Sequence, residues 1–127
     1  MLHQFKKHYT LEEARALLPQ LRAWLVELHQ LRGQLRQADE RIAQMLAGGA
    51  DAGGTSVNDQ IKLLAQFQQN LQKFSQREIQ IKDLERGLID FPSLMGGREV
   101  FLCWELEDDD IEFWHELDAG YAGRERL

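Results

Sequence analysis

The chain has 127 residues, 43% of them hydrophobic and 28% charged, which fits one globular domain and excludes a fibrous or disordered chain. A single cysteine, Cys103, excludes an internal disulfide and fits a reducing compartment. The net charge of −6 is concentrated near one end: residues 79–127 hold thirteen acidic and five basic side chains, which disfavours nucleic acid and anionic membrane surfaces as partners.

The first residues, Met1-Leu2-His3-Gln4-Phe5-Lys6-Lys7-His8, lack the apolar run of a signal peptide, and a cytoplasmic location is expected. Thr10-Leu11-Glu12-Glu13 reads as a capping box, in which the Thr10 hydroxyl and the Glu13 carboxylate each accept from the other's backbone N–H. Apolar residues then recur every three or four positions from Leu11 through Leu18, Leu25, Leu31, Leu35 and Ile42 to Met45, one stripe of a helix from about Leu11 to Leu46. Pro19 removes a donor inside it and is expected to kink it. Gly48-Gly49-Ala50-Asp51-Ala52-Gly53-Gly54 reads as a flexible loop. Ser56 is expected to cap a second helix from about Val57 to Glu78, with the stripe Ile61, Leu64, Phe67, Leu71 and Phe74. Two such helices joined by a short glycine loop pack antiparallel.

From Ile79 the period changes. Ile79 to Lys82 alternates, Glu85-Arg86-Gly87 is a turn, and Leu88 to Phe91 is a short strand closed by Pro92. After the turn at Met95-Gly96-Gly97, Glu99 to Leu106 is the strongest strand. It is apolar on both faces at its centre, so it is expected to be the central strand and to be covered by the helices. Glu107-Asp108-Asp109-Asp110 is a solvated acidic turn, and Ile111 to His115 forms a hairpin with the preceding strand. The tail from Leu117 to Arg124 is too glycine-rich for a regular element. The expected fold is α+β: a single domain over residues 1–127, with a long antiparallel, coiled-coil-like helical hairpin (10–78) kinked at Pro19. A small C-terminal antiparallel β-meander and glycine-rich tail (79–127) follow. The hairpin has more apolar stripe than a four-strand meander can cover, so a homodimer through the hairpin is expected.

No established catalytic motif is present, neither a nucleophile elbow, a phosphate loop, H-E-x-x-H nor C-x-x-C. Asp83, Asp90, Arg98, Glu99, His115, Glu116, Asp118 and Arg124 each flank an apolar strand segment and can converge at one edge of the sheet. His115 with Asp118, joined by Glu99 or Asp90, would supply ligands for zinc, manganese or iron. The plainer reading is that His115 packs and donates to a carbonyl or a carboxylate. Arg98 and Arg124 either pair with Asp90, Asp118 or Glu99 or, with Asp83 nearby, bind an anion at the glycine-rich tail. Cys103, mid-strand, reads as a buried inert thiol. His3, His8 and His29 have no acidic partner at a telling spacing. Trp24 lies outside the main stripe and is a candidate interface residue.

The segments Thr10-Leu11-Glu12-Glu13-Ala14, Ala16-Leu17-Leu18-Pro19, Lys82 to Pro92, Gly97 to Trp104 and Phe113 to Arg124 together resemble the bacterial family DUF2203. One departure is Glu78, where a glycine is expected before the Ile-x-Ile-Lys-Asp segment. The resemblance implies a small prokaryotic cytoplasmic protein and no particular activity. Two functions therefore stand: a non-enzymatic dimeric scaffold that holds a protein partner, and a metal or anion site at the sheet edge serving a small hydrolase or a sensor. A weaker third is nucleic-acid docking through Lys6, Lys7, Arg15 and Arg22.

Overall fold

The computed structural model describes residues 2–49 and 54–127. Its elements are helix α1 (Leu11–Ala47), helix α2 (Gly54–Ser75), and strands β1 (Gln80–Asp83), β2 (Leu88–Met95), β3 (Arg98–Trp104), β4 (Phe113–Glu116) and β5 (Glu125–Arg126). The five strands form one antiparallel sheet in chain order, an α+β architecture. Among the described residues no helix is long and apolar enough to cross a membrane. Two compact units are present: residues up to Leu25 with Lys73–Leu127, and Val26–Gln72.

In the first unit the capping box forms as the residues predict. Thr10 N–H donates to Glu13 Oε1 at 2.9 Å and Glu13 N–H to Thr10 Oγ1 at 3.1 Å. The helix continues through Pro19. The sheet's two faces follow from strand alternation. Ile89, Phe91, Leu102 and Trp104 share one face, and α1 meets it: Arg22 lies 5.1 Å from the Trp104 ring, and Tyr9, just ahead of the helix, packs edge-on to Phe91. Asp90, Phe101, Cys103 and His115 share the other. The N-terminal arm covers that face through Phe5 on Phe101 (5.4 Å between rings), and the C-terminal tail covers it through Arg124, 4.0 Å from the Phe113 ring. β3 is the central strand of the five, with helix over one face and arm and tail over the other.

Several boundaries differ for local reasons. β2 does not stop at Pro92. That residue needs no N–H there, since β1 has already ended and the Pro92 carbonyl accepts from Tyr9 N–H at 2.7 Å. Ser93 Oγ donates to Tyr9 O at 2.6 Å and completes the bracket. The tail is more regular than its glycines suggest, with a 3-10 turn at Tyr121–Gly123 and β5 beyond it. The acidic turn is pinned rather than merely solvated: Asp110 accepts from Arg15 at 2.8 Å, and the Asp108 carbonyl from Arg22 and Trp104. Gly87 is obligatory, because its φ is +65° and a Cβ would meet Leu106 Cβ at 2.6 Å. Gly96 and Gly97 both have positive φ and form the two-residue turn that pairs Met95 with Arg98. Trp24 is engaged within its own chain, edge-on to Phe74 at 5.7 Å and flanked by Lys73 and Arg77.

Helix α2 ends at Ser75 rather than Glu78. Glu78 carries φ +58°, the only non-glycine positive φ among the described residues. A glycine would take this conformation without strain. The Glu78 carboxylate accepts from the backbone N–H groups of Lys6 and Lys7 at 3.0 and 2.9 Å.

In the second unit the two helices run antiparallel, since Glu27 bonds Asn70, Asp39 bonds Gln60, and Met45 meets Ser56. Ser56 is therefore two residues inside α2 and does not cap it. Loop residues 50–53 lie outside the described ones. Leu28, Leu31 and Ala38 are buried, whereas Val57, Ile61 and Leu64 are exposed.

Candidate functional site

Strand register builds the site. The Gly96-Gly97 turn sets Asp90 directly opposite Cys103, and the β3–β4 pairing sets His115 opposite Phe101, one diagonal from Cys103. The three side chains point to the face under the arm and tail, and all are buried. One donor atom from each lies within 4.8 Å of the others.

His115 is held at both nitrogens. Nδ1 lies 2.7 Å from the Glu116 carbonyl, which can only accept, so Nδ1 carries hydrogen. Nε2 lies 2.9 Å from Asp90 Oδ2 and shares one proton with it. Burial raises Asp90 above the usual carboxylate range. The neighbouring His115 opposes that rise most, followed by Cys103 and Lys82. Asp90 Oδ1 is buried and has no hydrogen-bond partner among the described residues. Burial, then the neighbouring Asp90, push the Cys103 thiol up to about 12, against a partial opposing pull from Arg124. Cys103 is thus buried and favoured in its thiol form, but it is not isolated. It is the third member of a buried Asp–Cys–His group.

Above this group is a cavity of about 410 Å³, lined by all three residues and by Lys82, Asp83, Asp118 and Tyr121 among others. Its lining mixes charged side chains with apolar ones such as Leu88 and Leu117.

The candidate residues separate into distinct places. Asp90 and His115 meet. Asp118 is exposed on the cavity lining, and Asp83 lines it too while accepting from Arg86 N–H at 3.1 Å. Arg98 is exposed and pairs with Glu116 at 2.9 Å. Arg124 stacks on Phe113 and Tyr121 and lies 3.7 Å from Glu105, so neither arginine takes Asp90, Asp118 or Glu99 as its partner.

Glu99 stands elsewhere, under the arm. It accepts from Gln4 N–H at 2.7 Å and Phe5 N–H at 3.0 Å, and His8 Nε2 lies 2.8 Å away. Its burial opposes ionisation, but the His8 and backbone hydrogen bonds outweigh it and lower the carboxyl to about 2. His3 and His8 therefore do have an acidic partner, but one more than ninety residues away, where no local spacing reveals it. Cys103 was findable from the sequence: a Gly-Gly two-residue hairpin fixes register, and counting outward from it sets residue 90 against residue 103.

The chain matches the family model described as "Uncharacterized conserved protein (DUF2203)" over residues 7–127. The chain belongs to the DUF2203 family. No curated protein and no solved structure matches it. The DUF2203 match takes in Asp90, Cys103 and His115 and every other residue of the cavity lining, whereas His3 lies ahead of it.

Proposed function

We propose that this chain binds a zinc-class divalent cation through Asp90, Cys103 and His115 and holds a small molecule in the cavity above. The observation that carries this reading is the unpartnered, buried Asp90 Oδ1 beside a thiol and an imidazole. An acceptor left dry costs roughly 1–3 kcal/mol, which a cation would remove. The donor set has the right chemistry. Thiolate with imidazole and carboxylate favours zinc or iron over magnesium or calcium. The Nδ1–H to carbonyl bond is the arrangement that commonly orients a ligating imidazole through Nε2. A bound cation would also displace the thiol proton in spite of the burial that retains it. Three protein donors leave one position open toward the cavity, as in zinc sites that act on a substrate. A reducing compartment such as the cytoplasm would keep Cys103 available for this role.

The test is metal content by mass spectrometry of protein purified without an affinity tag, beside Asp90→Asn, Cys103→Ser and His115→Gln. The expected result is about one equivalent of zinc or iron in the parent chain and loss in each variant. A parent chain that neither carries nor takes up Zn²⁺, Fe²⁺ or Mn²⁺ sinks the reading.

A second reading, self-association through α2 as a scaffold, is favoured by one observation. Val57, Ile61 and Leu64 fall at helical spacing and are 37%, 57% and 45% exposed. A second copy of the chain is the simplest cover for such a strip. Sedimentation velocity should then give a dimer that Ile61→Glu converts to monomer, and a monomeric parent chain at micromolar concentration rejects it.

A further inference from the structure

We propose that His3, His8 and Glu99 form a second cation site, distinct from the buried Asp–Cys–His group, that fastens the N-terminal arm to β3. The three residues offer two imidazoles and one carboxylate, with donor atoms all within 4.8 Å of one another. That set suits zinc, cobalt, nickel or ferrous iron. Glu99 is fixed by the Gln4 and Phe5 N–H donors, one on each oxygen, so the carboxylate is oriented before any ion arrives. His8 Nε2 lies 2.8 Å from Oε2. His3 Nδ1 lies 3.8 Å from Oε1, beyond hydrogen-bond length. Donors bound at 2.0–2.1 Å to a four-coordinate ion stand roughly 3.3–3.5 Å apart. His3 therefore needs to move only a few tenths of an ångström on that side, and at 43% side-chain exposure it can do so without disturbing the core. The two imidazoles meet edge to face, 5.0 Å between centroids and 73° between planes, so their nitrogens can converge on one point without the rings clashing.

The site has a structural consequence for the buried group. Phe5 lies between the two arm histidines in sequence, and its ring rests on Phe101, which also lies 5.5 Å from the His115 ring. A cation at His3, His8 and Glu99 would hold Phe5 in place and so keep the arm closed over the face that carries His115. The cation serves here as a staple, and the solvent side supplies its remaining ligands.

The experiment is titration of chelator-stripped, untagged protein with Co²⁺, read by calorimetry and by near-ultraviolet and visible absorption. Cobalt on a thiolate gives a sulfur-to-metal charge-transfer band, and cobalt on two imidazoles and a carboxylate does not. The two sites are thereby separated. The Cys103→Ser protein should bind one equivalent without that band. Adding His3→Ala and His8→Gln to it should weaken that uptake at least tenfold. Glu99→Gln, which keeps the shape and one acceptor oxygen, should do the same. Uptake by Cys103→Ser protein that these changes leave within twofold, or no uptake at all, overturns the proposal. Absence of the charge-transfer band in the parent chain counts against the buried site alone.

Discussion

Asp90 is the residue on which the pH behaviour of the metal-free protein should turn. Its folded-state carboxyl titrates above the ordinary value of 3.8. Between those two values the native chain binds more protons than the unfolded chain, so stability falls as pH rises through the window just above 3.8. One proton limits the slope to about 1.4 kcal/mol per pH unit. Asp90→Asn should flatten that part of the profile, and urea midpoints measured at a series of pH values would check it. An unchanged slope would assign the effect to another group. Cys103 gives a second prediction at this scale. With its thiol raised to about 12 and its side chain buried, iodoacetamide at pH 8 should leave it unmodified in the native chain. In denaturant it should react completely. Fast native alkylation, followed by intact mass, would show that the tail opens readily.

Two residues between elements have a conformation that decides the outcome of substitution. Glu78 sits in the left-handed region beyond the end of α2 while its carboxylate holds the arm's N–H groups. Glu78→Ala loses the acceptor and keeps the strain, whereas Glu78→Gly loses only the acceptor. Alanine should therefore be the less stable of the two by about 1 kcal/mol, measurable by chemical denaturation. Gly87→Ala meets both a positive φ and the Leu106 side chain, and should cost at least about 1–3 kcal/mol from the backbone alone. The elements themselves were legible because their signals are local. The Thr10–Glu13 box, the leucine stripe of α1 and the alternation in β3 each lie within a few residues of one another. Two misreadings share one cause. Pro92 inside β2 and Glu78 beyond the end of α2 take their roles from partners distant in sequence. Asp90 and His115 were legible as candidates because they flank apolar strands. Glu99 was legible as a candidate too, but its partners were not.

At the scale of the whole molecule, the sheet is built only from strands adjacent in sequence, whereas the arm and the start of α1 bind residues far along the chain. Hairpins of neighbouring strands close quickly, and contacts of long sequence separation close late. Pulse-labelling hydrogen exchange during refolding should therefore protect β2 and β3 before Gln4, Phe5 and Tyr9. The reverse order would show that the arm nucleates the fold. The Glu99 carboxylate that holds the arm also has a consequence for the chain as it is made. Ninety-one residues separate His8 from Glu99. The arm is therefore translated long before its anchor exists, and the face that carries Asp90, Cys103 and His115 cannot be closed over until β3 has left the ribosome. A nascent chain passes through an interval in which those three donors are assembling while their cover is still loose, and that interval is when a cation or a cavity ligand would enter most easily.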